Sequence, residues 1–313
     1  MIRLRDDLKL DGVPVVRLES DQLQVDVAPS VGGRIVSIVE KSSGHEFLWR
    51  NRSVPLQRLE SGSEYDSNFF GGIDELLPND MPETIQGVNC PDHGELWTTA
   101  LNWEIDGQRL KLHGTLPLFG LAYEREICLR SDGPWLDLSY RLSNPTRDAR
   151  VFLWKLHAAL AVAPGDLIDC PAQKAQVVDL AWSRYRTMVP FDWPMIEGKD
   201  ASKVPAPDGT VDFFYLFDLA EGRIGWHRPG ANLEFAYQFD TTIFSYAWLF
   251  ASYGGFFGHY TVVLEPCTAM PMSVNEAAAK KQCSRLEPGE SLVTNVSLYA
   301  GPQSSPVDAE KIV

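Results

Sequence analysis

Three polar side chains with the makings of an acid–base site stand far apart in this sequence: His93, His157 and Glu265. His93 lies in Pro91-Asp92-His93-Gly94-Glu95-Leu96-Trp97, His157 in Leu153-Trp154-Lys155-Leu156-His157, and Glu265 in Val262-Val263-Leu264-Glu265-Pro266. An imidazole titrates near about 6.5, so both protonation states are accessible at neutrality. A free glutamate titrates near about 4.3 and is ionised there. An apolar strand around Glu265 would raise that value and make it a better base, and a carboxylate beside His157 would favour its acid form. Each residue also has a plainer reading. Glu265 could sit on a wet strand face or in an ion pair, His157 could be a core histidine bonded to a backbone carbonyl, and His93 could be an exposed turn residue.

Other residues are weaker candidates. Asp74, Glu75 and Asn79 could bond to a ligand or cap the turn at Pro78. Lys155 is two residues from His157, so on a strand it shares that face, where it could bind a substrate carboxylate or phosphate or pair with an acid. Trp154 then faces the other way, into the core. Trp226, in Trp226-His227-Arg228, follows a predicted strand and could enter a groove or stand on a surface turn. His113 and His259 read as structural, and His45, beside Gly44, as a solvent-exposed turn residue. No HExxH occurs, and Asp92-His93-Glu95 is too closely spaced to define a metal geometry. No metal and no cofactor are expected.

These residues need elements to carry them, and most of the chain reads as short strands between turns. Residues 22–27 and 34–39 alternate with period two around Gly32-Gly33, and 101–105 and 109–113 flank Asp106-Gly107, a hairpin signal. Further strands are predicted at 123–129 and 135–142, 211–219 and 223–226, 247–250 and 260–264, and 291–299. The one good helix runs over 273–282, with Ser273 or Asn275 as its cap. So few helices cannot cover a parallel sheet, and period-two strands suit antiparallel sheets with one packed and one wet face. The expectation is a mainly β protein, a large antiparallel β-sandwich forming a single domain over 1–313, with long loops at 60–97 and 182–210. The second loop holds Trp182, Tyr185, Phe191 and Trp193, which could wall a binding site or cap the sandwich ends.

Composition narrows the function classes. With 42 acidic against 28 basic residues the formal charge is −14, which disfavours nucleic acid and anionic membranes as partners. The N-terminus has no apolar signal region and no stretch approaches the about 18–20 apolar residues of a transmembrane helix. The 5 cysteines are odd in number, widely spaced and without CxxC, so reduced thiols and a cytoplasmic location are expected.

Four segments, taken in order, carry a family resemblance. Gly71-Gly72-x-Asp74-Glu75-x-x-Pro78 followed by His93-Gly94, then Leu153-Trp154-x-x-His157, then Val263-Leu264-Glu265-Pro266, then Leu286-x-Pro288-Gly289-Glu290 together resemble the aldose 1-epimerase (galactose mutarotase-like) family over roughly residues 20–300. The resemblance implies a single large β-sandwich with a sugar held in a groove across one sheet. It implies Glu265 as general base, His157 as general acid and His93 as a second histidine near the ring oxygen. The activity implied is interconversion of the α and β anomers of a free sugar, without a cofactor, by a monomer or homodimer. This chain departs from the family pattern around His157, which lacks the Asn-His-Ser setting of typical galactose mutarotases, and the arginine and aspartate that grip galactose have no match. Two other readings fit the same scaffold: a non-catalytic carbohydrate-binding protein, or another sugar enzyme such as a sugar-phosphate epimerase or a lyase.

Overall fold

The computed structural model describes residues 1–303. Two large antiparallel sheets dominate it. From one edge, the twelve-stranded sheet runs Arg3–Leu10, Val13–Glu19, Leu23–Ala28, Arg34–Glu40, Ile73–Leu76, Lys155–Leu160, Tyr260–Cys267, Tyr246–Tyr253, Val211–Leu219, Ala172–Val177 and Phe191–Asp192, with His45–Glu46 paired to Arg34–Glu40. The eight-stranded sheet runs Leu167–Asp169, Arg223–Arg228, Leu233–Phe239, Ser291–Pro302, Trp135–Ser143, Ala122–Leu129, Arg109–Thr115 and Asn102–Asp106.

Local sequence accounts for the regular parts. Trp135–Ser143 alternates between buried and more exposed positions, as a strand with one packed face must. The hairpin at Asp106-Gly107 forms with Asp106 opposite Arg109 and Gly107 at φ +60°. A further hairpin, not expected from the pattern, joins Arg3–Leu10 to Val13–Glu19. Its turn places Asp11 at φ 51° and Gly12 at φ 86°, two left-handed residues whose twist matches that of the flanking strands. The helix runs over Val274–Lys280 rather than to 282; the Ser273 side chain accepts from the Glu276 N–H, and Lys281 ends it in a left-handed cap.

The segment 60–97, expected as a long loop, contains a central strand, Ile73–Leu76, and the small hairpin Glu83–Ile85/Val88–Cys90. All four residues of Ile73–Leu76 are buried, so the strand has no alternation to betray it. Leu233–Phe239 escaped the pattern for the same reason, being buried at every residue but one. Within 182–210, only two-residue strands form, at 191–192, 195–196 and 199–200.

The interior lies between the sheets. Leu156, Ala158, Phe214, Leu249 and Leu264 from the larger sheet share one apolar cluster with Leu138, Tyr237, Val296 and Leu298 from the smaller. Residues one step along the same strands face the other way, and they build the site. All five cysteines are free thiols, and no helix among the described residues is long and apolar enough to cross a membrane.

Candidate active site

Register decides which side chains meet. Ile73–Leu76 pairs antiparallel with Lys155–Leu160 so that His157 faces Asp74 and Leu156 faces Glu75. With a side-chain period of two, Asp74, Lys155 and His157 share one face, while Glu75 and Leu156 take the other. On the next two strands Glu265 stands opposite Trp248, and Val263 opposite Phe250. Phe213 lies opposite Phe250 one strand further on. Above this face is a cleft of about 220 Å³, floored by Lys155, His157, Val263 and Glu265. Its walls carry Tyr65, Phe69, Met81, His93, Trp182, Phe213, Phe250, Phe256 and Met272.

His157 is held from behind. Its Nδ1 is 2.9 Å from Asp74 Oδ1. Asp74 also accepts from Arg34 Nη2 at 2.7 Å and from the Tyr65 hydroxyl at 2.9 Å. Asp74 is only 2% exposed, and that burial opposes its charge, but Arg34 and His157 outweigh it and hold the carboxyl well below the usual carboxylate range. Asp74 is therefore an ionised acceptor, His157 Nδ1–H donates to it, and Nε2 is left to face the cleft. Burial and the Asp74 charge in turn push the Tyr65 hydroxyl well above its ordinary pKa, so it stays protonated and donates.

Across the floor, His157 Nε2 is 3.9 Å from Glu265 Oε1. The other Glu265 oxygen is 2.6 Å from Lys155 Nζ, which is also 2.7 Å from Asp80 Oδ1 and 4.4 Å above the Trp248 ring. The expectation of an apolar setting for Glu265 is thus corrected: the flanking valines and leucine lie along the strand, but the carboxylate is ion-paired. Burial alone would lower the Lys155 pKa; Asp80 and Glu265 reverse that and raise it, so the lysine is a fixed cation. Asp80 is lowered for the matching reason, Lys155 prevailing over burial.

His93 occupies the rim in an unusual backbone state, φ 59°, and its N–H donates to the Asp80 carbonyl at 2.6 Å. Gly94 follows at φ +72°, where an added Cβ would lie 2.3 Å from the Leu77 carbonyl oxygen, so glycine is required there. The imidazole stacks on Tyr65, with centroids 3.8 Å apart and planes 7° from parallel, and its Nδ1 is 3.0 Å from Asp92 Oδ1. Burial disfavours its charge, but Asp92 and Asp80 more than compensate and raise its pKa above the ordinary value.

Four of the sequence candidates, His93, Lys155, His157 and Glu265, thus converge on one cleft, with Asp74 directly behind His157. Three do not reach it. Glu75, one step along from Asp74, points into the sandwich interior, where it accepts from Arg125 Nη1 (2.6 Å), the Tyr140 and Tyr123 hydroxyls (2.9 and 3.0 Å) and Trp154 Nε1 (2.9 Å). Asn79 is fully buried and donates to the Met81 and Pro91 carbonyls at 2.8 and 2.7 Å, bracing the loops that carry Met81 and His93 rather than reaching a ligand. Trp226 belongs to the other sheet, is 1% exposed, and donates from Nε1 to Asp166 Oδ2 at 2.8 Å. There it packs edge-on against Phe47 and face-on against His45, which is half-buried rather than an exposed turn residue. Sequence reasoning passed over Tyr65, Asp80 and Arg34. Tyr65 and Asp80 sit in polar turn-rich segments where single residues give no periodic signal; Arg34 opens a strand and looks like any surface arginine.

Comparison with known proteins bears on the family and the fold. The sequence profile of DUF5107, described as a domain of unknown function, matches residues 11–195. Among solved structures, the Slr1438 protein from Synechocystis sp. PCC 6803 is 18% identical with a TM-score of 0.71, covering 97% of this chain and 99% of that one. A galactose mutarotase-like protein from Clostridium acetobutylicum is 16% identical with a TM-score of 0.71, covering 96% and 99%. A protein from Klebsiella pneumoniae subsp. pneumoniae, provisionally assigned as an aldose 1-epimerase, is 15% identical with a TM-score of 0.74, covering 99% and 86%. At these identities the likeness shows the fold alone: a mainly β structure of large antiparallel sheets, similar to that of solved galactose mutarotase-like proteins.

Proposed function

Because the chain belongs to the DUF5107 family, whose description assigns no activity, its chemistry has to be read from the cleft, and we propose that it is an aldose 1-epimerase-like isomerase of a free sugar. The observation that carries this reading is the pair formed by His157 Nε2 and Glu265 Oε1, 3.9 Å apart on the floor of one cleft. Mutarotation needs a base and an acid within reach of two oxygens borne on the same carbon. Glu265 takes the proton of the anomeric hydroxyl while His157, acting as the imidazolium with its Nδ1–H held by Asp74, gives its Nε2 proton to the ring oxygen. The C1–O5 bond breaks and leaves an open-chain aldehyde. Rotation about C1–C2 presents the other carbonyl face, and reversal of both proton transfers closes the ring as the other anomer. Asp74 holds the imidazole so that Nε2 is the atom presented, and the histidine leaves each full cycle in the state in which it began. His93 stands at the rim, where its imidazole can donate to a sugar hydroxyl. Phe213, Phe250 and Phe256 offer apolar wall to the C–H faces of the ring.

The test is anomer exchange by saturation-transfer NMR over galactose, glucose, rhamnose, fucose and uronates, with spontaneous exchange subtracted. Enhancement for one sugar is expected, reduced by about 10²–10⁴-fold in His157→Ala and in Glu265→Ala. Exchange that survives both substitutions would sink the reading. One observation favours a second reading, carbohydrate binding without catalysis: Lys155 Nζ lies 2.6 Å from Glu265 and competes with substrate for that carboxylate. Saturable binding with no enhancement for any sugar would establish it.

A further inference from the structure

The charge lining the cleft bears on which sugars it admits. Asp66, Asp80, Asp92, Asp179 and Glu265 all line it, against Lys155 as the only Lys or Arg among the described residues. That lysine is not available to a ligand anion, since Asp80 and Glu265 hold its ammonium at 2.7 and 2.6 Å. His93 Nδ1 is likewise engaged, 3.0 Å from Asp92. One carboxylate has nothing to hold it. Asp66, half-buried beside Tyr65, makes no side-chain hydrogen bond and no ion pair among the described residues. Burial pushes its carboxyl up, His93 is the strongest charge opposing that, and Asp92, Glu64 and Asp80 add to the upward shift, so the carboxyl ends above its ordinary value. In a partly desolvated cleft such charges act more strongly than they would on an open surface, and like charge brought into it is repelled.

We propose that this site is selective for sugars by charge: it rejects sugar phosphates and uronates and prefers a sugar bearing a protonated amine, whose ammonium Asp66 receives. The inference rests on the cleft being a sugar site, as proposed above, but not on its being catalytic. An ammonium at Asp66 supplies the direct contact with a cation that no protein side chain makes there, whereas a phosphate or carboxylate meets a lining in which five carboxylates outnumber Lys155 and the two imidazoles, His93 and His157. Neutral hexoses stand between, because carboxylates accept from hydroxyls without a change of net charge.

Calorimetric binding to the full chain at low salt tests this with matched sugars: glucosamine and galactosamine, their parents glucose and galactose, the corresponding uronates, and the two hexose 6-phosphates. The amine is expected to bind at least about tenfold more tightly than its parent and the anions at least about tenfold more weakly, with the spread narrowing as salt is raised. Asp66→Asn should shrink the ratio of amine to parent to under about threefold, and the charge-conserving Asp66→Glu should keep most of it. A uronate or phosphate that binds as well as the parent would overturn the proposal, as would an amine preference unchanged in Asp66→Asn. Absence of binding by every sugar would overturn it together with the reading it rests on. Anomer exchange on the same panel separates the two claims. Exchange without charge discrimination leaves the isomerase standing and removes this inference; the charge order without exchange does the reverse.

Discussion

Asp74 lies behind His157 and does not line the cleft, yet it governs the residue that does. It fixes the orientation of His157 and gathers Arg34 and Tyr65 around one buried carboxylate. Its folded pKa lies below the ordinary value, so the stability it contributes is present above its unfolded value of 3.8 and lost as pH falls toward the folded one. Asp74→Asn is expected to cost about 3 kcal/mol at neutral pH, because Arg34 is left buried without its anion. In urea denaturation the deficit relative to wild type should be constant from about pH 7 to 5 and shrink below about pH 4. A deficit that persists undiminished into acid would refute the ion-pair account. At this scale, residue type put His93, His157, Glu265 and Lys155 among the candidates, and the order of the family-like segments, rather than chemistry alone, favoured His157 and Glu265 over the plainer readings. Residue type was not enough for Glu75 and Trp226. Both are chemically capable, and only the register of one strand and the sheet assignment of another remove them from the cleft.

At the scale of elements, the loop that delivers His93 depends on a single close approach. Leu77 and Gly94 form an isolated parallel bridge, and the Glu95 and Leu96 N–H groups donate to the Leu77 carbonyl at 2.8 and 3.2 Å. Gly94→Ala puts a methyl carbon into that carbonyl while also demanding a left-handed backbone of alanine. The expected cost is about 2–4 kcal/mol in chemical denaturation, with weakened sugar binding as His93 is displaced. Unchanged stability would mean that the turn has room which the packing denies. Arg109–Thr115 and Trp135–Ser143 could be read from the sequence because their residues alternate between buried and more exposed positions, and the hairpin at Asp106-Gly107 because of its turn dipeptide. Ile73–Leu76 could not, because a strand buried on both faces in the middle of a twelve-stranded sheet carries no period, and its Asp and Glu look like loop residues. Those two acids are satisfied by partners up to 50 and more positions distant in the chain, among them Arg34, Arg125 and Tyr140, a fact available only once the sheets are assembled.

At the scale of the whole molecule, Glu75 is the polar fastening between the two sheets. From the larger sheet it reaches Arg125, Tyr123 and Tyr140 of the smaller one, and it and Arg125 have side chains only 1% exposed. Arg125→Met is expected to destabilise the protein by about 3–5 kcal/mol, since it strands a buried carboxylate. Adding Glu75→Gln should recover at least about half of that loss in urea denaturation, because the pair is then removed together. Additive losses would show that the two side chains act independently. The sandwich itself was legible because its architecture follows from counting period-two strands and finding almost no helix; the order of strands within each sheet was not, because pairing partners such as Ile73–Leu76 and Lys155–Leu160 lie far apart in sequence. The division of each central strand between two faces has an evolutionary corollary. Phe213, Phe250 and Val263 look onto the cleft, while their immediate neighbours Phe214, Leu249 and Leu264 belong to the interior. Selection on the ligand and selection on the scaffold therefore fall on alternate codons, and a lineage could exchange one ligand for another by drift at every second position without renegotiating its core.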